Sequence, residues 1–360
     1  MTNSVLIMLF TVQRGIKISH MKSNFVVQEA KRREISGRAA KLRFLLPLIV
    51  VAMVFQATSV QGSAYIVWPR WENAIACERN GQTLWHFSFS TNKAKPFIHP
   101  LCVNGSDSLT ASQPSDHRWH YGLWFSWKYI NGVNYWEEDK NSGRAEGLTT
   151  WDTPRIETHM DGSARISMNL RYISTNSHLM MTERREIIFS APRMDGGVTI
   201  DWTAKFKAGK EPLLLDRTPM PGEPHGAVNG GYAGFSLRAA QSPAKCDFLT
   251  VEGPVTEWNS DRARPNSKAA ACNVTQKDRT DGVAILSAVS NTGGNSPWYM
   301  VNSSSMHWFS PVLLAPAPKK VRPRESFTWK FRVMTKQGPW TTEQLAAESR
   351  SYKGNATKSR

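Results

Sequence analysis

The sequence predicts an all-β protein: a large antiparallel β-sandwich with one short C-terminal helix. Three observations carry this. Apolar and polar residues alternate with period two along several segments, as in strands with one face on a core and one wet. Gly, Pro and Asn punctuate the chain between those segments. Helical periodicity is scarce until the C-terminus.

Taken in order, a basic stretch at 31–43 precedes the apolar run 44–55, and small or polar residues follow up to Ala64. A positive region, a short apolar core and a small-residue exit describe a secretory signal peptide. The run is shorter than the ~20 apolar residues that span a bilayer. An uncleaved anchor is the other account of it. Residues 1–64 are thus assigned to a signal peptide and leader, 65–349 to a single β-sandwich domain, and 350–360 to a flexible basic tail. The protein is expected to be exported, periplasmic or extracellular, with no stable membrane insertion.

The charge is uneven. Of the formal +16, residues 1–64 carry nine Lys or Arg against two Glu, and 350–360 add four basic residues and no acid. The body keeps +5. A mild excess with no basic stripe argues against a nucleic-acid partner.

Within the body, 155–160 and 163–173 flank Asp161-Gly162, a hairpin with a favoured two-residue turn. Val198, Ile200, Trp202, Ala204 and Phe206 alternate with polar residues, as do Phe327, Trp329, Phe331 and Val333. Segments 182–189, 282–289 and 306–314 read as further strands. Residues 219–231 form a loop rich in Pro and Gly, long enough to be functional. Thr341 with Gln344 offers a helix capping pattern before Leu345, Ala346 and Ala347. Cys77, Cys102, Cys246 and Cys272 lack any C-x-x-C spacing, so a zinc site is disfavoured. Export would permit any of three disulfide pairings; free buried thiols are the alternative.

The densest chemistry lies at 116–138, with two His, three carboxylates, two Asn and four Trp. A sugar site uses aromatic faces for apolar ring faces, and Asn, His and carboxylates for hydroxyls. The plainer account is a Trp-rich core strand, since aromatic residues favour strands. If the segment is functional, it starts as a loop and becomes a strand near Tyr121 or Gly122. Leu123, Phe125 and Trp127 would share one face; Trp124, Ser126 and Lys128 the other.

Longer motifs point to a family. Lys95-Pro96-Phe97-Ile98-His99-Pro100-Leu101 precedes that window, and Arg144-Ala145-Glu146-Gly147 follows it. Then come Glu183-Arg184-Arg185-Glu186, Asp201-Trp202, Leu215-Asp216-Arg217-Thr218-Pro219, Gly230-Gly231-Tyr232-Ala233-Gly234 and Ser296-Pro297-Trp298-Tyr299. This order resembles the secreted bacterial family labelled "methane oxygenase PmoA". The resemblance implies a β-supersandwich of the galactose-mutarotase type, a fold associated with carbohydrate epimerases, lyases and hydrolases. The label itself fits poorly: a multi-spanning oxygenase subunit needs apolar spans that the strand-rich body lacks. One position departs from the pattern. Members often carry Arg where this chain has Tyr121, which puts the handling of an anionic group in doubt.

The candidate catalytic residues are His117, His120, Asp116 and Glu146. Convergent histidines would give a base or acid near neutral pH, with Asp116 fixing a tautomer. No cofactor is required; a divalent metal on His99, His117 and His120 is possible in principle. The candidate substrate-binding residues are Trp124, Trp127, Asn134, Trp136, Glu137, Arg184, Arg217 and Tyr232. Arg217 could fork onto a carboxylate or hydroxyls, or simply pair with Asp216. Trp258 and Trp298 are stacking platforms or packing. P-loop, G-x-G-x-x-G and G-x-S-x-G motifs do not occur. The sequence therefore points to a carbohydrate-active protein, leaning to a glycoside-processing enzyme. A non-catalytic carbohydrate-binding module and a metal-dependent oxidase are the alternatives.

Overall fold

The computed structural model describes residues 64–354. The leader assigned to 1–64 falls almost wholly outside them. Among the described residues no helix is long and apolar enough to cross a membrane.

Two antiparallel sheets make the fold. The first runs in the order Ile66–Val67, Ala74–Arg79, Gln82–Ser88, Phe97–Leu101, Leu123–Ser126, Gly234–Arg238, His307–Pro311, Ser296–Asn302 and Arg262–Ala263. The second runs Arg155–Thr158, Ala164–Ile173, Leu179–Phe189, Thr199–Ala208, Ser326–Gln337, Arg279–Ser287, Ala269–Gln276, Lys245–Thr250 and Gly253–Pro254. A small third sheet joins Lys319–Val321, Leu213–Asp216, Tyr129–Ile130 and Val133–Asn134.

The alternation seen in the sequence becomes the sandwich core. Ile200, Trp202, Ala204 and Phe206 are all fully buried and face the first sheet. Phe235 stacks on Phe331 across the layers, with ring centroids 4.5 Å apart, and Trp85 stacks on Phe189 at 3.7 Å. Each large aromatic removed from water contributes ~1.5–3 kcal/mol, so these inter-sheet stacks dominate the cohesion. The expected hairpin at 155–173 is present but not with a two-residue turn: Thr158 pairs with Ala164 and the His159 N–H donates to the Ser163 carbonyl, so Met160, Asp161 and Gly162, the last at φ +85°, form the loop.

The expected capping box closes the helix Thr342–Ser351, in which Gln344 and Thr341 exchange side-chain and backbone hydrogen bonds. The helix passes the boundary drawn at 349. Tyr352 is buried, with the Arg332 guanidinium 4.7 Å from its ring centre. The start of the assigned tail is therefore docked, because an aromatic side chain there gains more by burial than by fraying. All four cysteines are free and buried.

Candidate functional site

Gly122 decides where the 116–138 segment becomes a strand. It has φ +77°, and a Cβ there would lie 2.6 Å from the Ile98 carbonyl oxygen. Only glycine accepts both constraints without strain. The strand starts at Leu123, and the anticipated faces appear: Leu123, Phe125 and Trp127 enter the inter-sheet core, while Trp124 joins a separate cluster on the opposite face. Register extends that outer face across neighbouring strands. Ser236 lies opposite Trp124, Trp308 opposite Arg238, and Val301 opposite Trp308.

A cleft of about 290 Å³ opens on this outer face. Trp119, Trp136, Trp308 and Met306 supply apolar wall; His117, His120, Glu137, Asn229, Tyr232, Tyr299 and Arg262 supply polar groups. The two histidines converge, with stacked rings 4.7 Å apart.

Behind them lies an ordered relay. Arg238, fully buried, donates from Nη2 to both Asp116 oxygens at 2.8 and 3.1 Å and to the Ser305 carbonyl at 2.8 Å. Partial burial opposes the charge on Asp116, but the hydrogen bonds from Arg238 and His117 outweigh it and hold the carboxyl below its usual range. Asp116 is thus an acceptor, and His117 Nδ1, 2.9 Å away, is the donor. A neutral His117 then keeps its lone pair on Nε2.

His120 is set differently. A guanidinium can only donate, so the contact of Arg238 Nη1 with His120 Nδ1 at 3.4 Å makes that nitrogen an acceptor. Burial, reinforced by the positive neighbours His117, Arg238 and Lys95, pushes its pKa well below the ordinary imidazole value. His120 is neutral and carries its proton on Nε2.

Glu137 is the carboxylate of the cleft. Tyr232 donates to its Oε1 at 2.6 Å, Asn134 Nδ2 to Oε2 at 2.7 Å, and Lys128 Nζ also to Oε2. Burial raises its pKa, but Lys128 and these hydrogen bonds prevail, and the group stays ionised. A carboxylate offers about four acceptor positions. Three are filled, which leaves one for a ligand.

A second buried network braces the cleft walls. Lys95 donates to the carbonyls of Trp136 at 2.9 Å and Trp119 at 3.3 Å. It also lies 3.1 Å from Glu138, which accepts from Tyr121 Oη at 2.6 Å. Tyr121 therefore points behind the cleft at Glu138 and does not line it.

Several expected site residues lie elsewhere. Trp124 is fully buried beneath His120, with centroids 5.0 Å apart, and supports the imidazole instead of meeting a ligand. Trp127 packs in the inter-sheet core against Phe206 and Trp329, because its parity on the strand points it inward. Glu146 sits exposed on a loop, accepting the Asn134 backbone N–H at 3.1 Å. Arg184 is exposed on the outer face of the second sheet, whereas its neighbour Arg185 is buried and paired with Glu183 at 2.6 Å. Arg217 is buried and ties Glu223, at 2.6 Å, and the Ala315 carbonyl to the 219–231 loop. It does not line the cleft. His99 contacts Thr110 Oγ1 at 2.9 Å, and burial, with His86 nearby, lowers its pKa to about 4. Among the described residues no three His, Cys, Asp or Glu side chains group as a metal site would need.

Arg238, Trp308 and Arg262 escaped the sequence reading, and Tyr299 entered it only within the Ser296–Tyr299 motif, without a role. No local motif marks the other three. Only the strand register that places Arg238 beside Trp308 on the outer face would have found them.

A model of a family of unknown function, DUF6807, matches residues 74–350. No curated protein matches the chain significantly. Among solved structures, a GH36 α-galactosidase from Geobacillus stearothermophilus aligns at TM-score 0.44 and 11% identity, covering 76% of this chain and 41% of that one. The chain thus spans about two fifths of that galactosidase. A "putative mutarotase" from Salmonella typhimurium aligns at TM-score 0.38 and 9% identity, covering 76% of this chain and 94% of that one.

Proposed function

The chain belongs to the DUF6807 family, and we propose that its cleft binds a carbohydrate and moves a proton on it. The observation that carries this is the Arg238–Asp116–His117 relay opening onto an aromatic-walled cleft. His117 Nε2 is the base. Asp116 holds its tautomer and stabilises the imidazolium that forms, and Arg238 keeps Asp116 ionised. His120, neutral with Nε2–H facing the ligand, donates to the oxygen on which charge develops. Glu137 accepts one sugar hydroxyl with its remaining lone pair. Trp119, half-buried at the cleft, covers an apolar ring face, while Trp136 and Trp308, both buried, close the wall behind it. A volume near 290 Å³ lies at the small end of ligand sites, ~300–1,000 Å³, and suits one sugar ring.

The reaction class follows from the carboxylates. Hydrolysis by paired carboxylates needs two of them flanking the bond. Only Glu137 lines this cleft; Asp116 lies behind His117, Glu138 behind the wall, and Glu146 outside. Deprotonation by histidine, as in an epimerase or lyase, fits better than a two-carboxylate hydrolase. A deep cleft lined by histidines also favours catalysis over a flat binding face. The methane-oxygenase label enters no step of this proposal. Export to the periplasm or beyond, where such a site would meet polymeric sugars, is part of the same reading.

The test is a panel of neutral, amino and acidic sugars followed by NMR in deuterated buffer. Conversion or solvent exchange at one sugar proton is expected, falling ~10²–10⁴-fold in His117→Asn with binding retained. Binding without turnover in any variant would reassign the cleft to a binding module.

A further inference from the structure

Beside the cleft lies a second and larger cavity, a groove of about 740 Å³. Two elements are common to both. Arg262 lines each of them. The 219–231 loop overhangs each, through Asn229 in the cleft and Pro221 and Val228 in the groove.

Both shared elements are fixed. Arg262 sits on a tight hairpin in which Asn259 and Arg262 exchange backbone hydrogen bonds at 2.8 and 3.1 Å. Its Nε donates to Tyr299 Oη at 3.0 Å, and Asp261 pairs with its guanidinium. The loop is pinned by Arg264, which donates to the carbonyls of Val228 at 2.9 Å and Gly230 at 2.7 Å. The partition between the cavities is thus a single side chain under a tethered loop.

The groove has its own sugar-suited surface. Trp258 is half-buried, its Nε1 donating to the Val255 carbonyl at 2.8 Å, and it lines the groove. Thr256, Glu257 and Asn259 are exposed around it. The Arg264 guanidinium is occupied by carbonyls and by the Tyr299 ring, 4.1 Å away. The lining charges balance, Glu252 and Glu257 against Arg262 and Arg264, so nothing along this stretch selects a charged chain.

We infer that the ligand is a neutral oligosaccharide, whose terminal ring occupies the cleft and whose following units cross Arg262 into the groove along Trp258. This rests on the carbohydrate reading of the cleft and extends it from a ring to a chain. Arg262 then marks the linkage next to the terminal unit, since it lines both cavities. The 219–231 loop is the roof over that linkage.

The experiment is calorimetric titration of the whole protein with ladders of one to four units, built from glucose, galactose, mannose and xylose. In the ladder that binds, affinity should rise at least ~10-fold from one unit to three, which is one stacked ring's contribution. Thr256→Trp, at an exposed position, should fill the groove and return the trisaccharide to the monosaccharide's affinity, leaving monosaccharide binding unchanged. Trp258→Ala should do the same, with melting curves checking that the domain remains folded. Equal affinity for all lengths, or a Thr256→Trp variant that binds trisaccharide normally, overturns the chain reading and leaves the cleft reading intact. Binding only by charged ladders, added as a control, overturns the neutral assignment. If no sugar of any length binds, both readings fall together.

Discussion

Removing the Lys95 ammonium should destabilise the protein far more than its single charge suggests. Lys95 and Glu138 side chains are 2% and 5% exposed and 3.1 Å apart. Their attraction is about 5 kcal/mol at an effective dielectric near 20. Burial pushes the Lys95 pKa below its ordinary value, and Glu138 offsets that only in part. Lys95→Met leaves Glu138 buried with one donor, Tyr121, and strips the Trp119 and Trp136 carbonyls of theirs. Breaking one side of a buried pair costs about 3–5 kcal/mol. For a body of this size that corresponds to roughly a 6–10 °C fall in Tm. Glu138→Gln should cost about 2 kcal/mol or more, and the double variant Lys95→Met/Glu138→Gln at least about 2 kcal/mol less than the sum of the singles. Urea unfolding of the four proteins gives the coupling directly. Singles that each cost under about 1 kcal/mol, or strictly additive costs, would refute the view that this pair braces the cleft. Because Lys95 holds two wall carbonyls, the single variant should also weaken sugar binding at temperatures where it is still folded.

Three further outcomes are expected. Asp116→Asn removes the acceptor that sets the His117 tautomer; turnover should fall at least ~10²-fold while affinity changes little, read from kcat and KM separately. Arg184→Ala should stay within ~0.5 kcal/mol of the parent in denaturant melts, whereas Arg185→Ala should lose about 3–5 kcal/mol, because it strands Glu183 in the core. Stability should decline on acidification from pH 6.5 towards 4. His99 is held neutral down to about 4, so over that window the unfolded chain binds a proton that the folded one refuses. The slope is at most ~1.4 kcal/mol per pH unit for one such group, and His99→Asn should lessen it in a pH series of melts, buried His120 supplying a slope of the same sign.

Most of the fold was legible because period-two alternation needs only one strand and one core. The strands around Trp202 and Phe331 and the Thr341 cap rest on local rules and stand where those rules put them; the hairpin at 155–173 is present too, but its turn takes in Met160 as well as Asp161 and Gly162. The site was legible where its residues are close in sequence: Asp116, His117, His120, Trp136 and Glu137 do meet. Sequence could not separate neighbours that differ only in direction. Trp124 and Trp127 both look like platforms, yet one props a histidine and the other fills the core. Arg184 and Arg185 differ by one step of the pleat, and that step carries one into water and the other into the interior. Arg238 was invisible because its partner Asp116 lies 122 positions away. Nothing short of the strand register joins them.

The strand Leu123–Ser126 also constrains how this protein can vary over evolutionary time. Its two faces serve different masters: Phe125 answers to the second sheet, Trp124 to the cleft. Substitution at the Trp124 parity changes the support beneath His120 while the other parity keeps the sandwich intact. Length is another matter. A one-residue insertion or deletion between Gly122 and Trp127 exchanges the two roles along the strand, turning core aromatics into the layer beneath the cleft and the support of His120 into the inter-sheet core. Diversification of this site should therefore proceed by exchange of side chains within the strand, and by length changes in the 219–231 loop only where they spare Glu223, the partner of the buried Arg217, and the carbonyls that Arg264 holds.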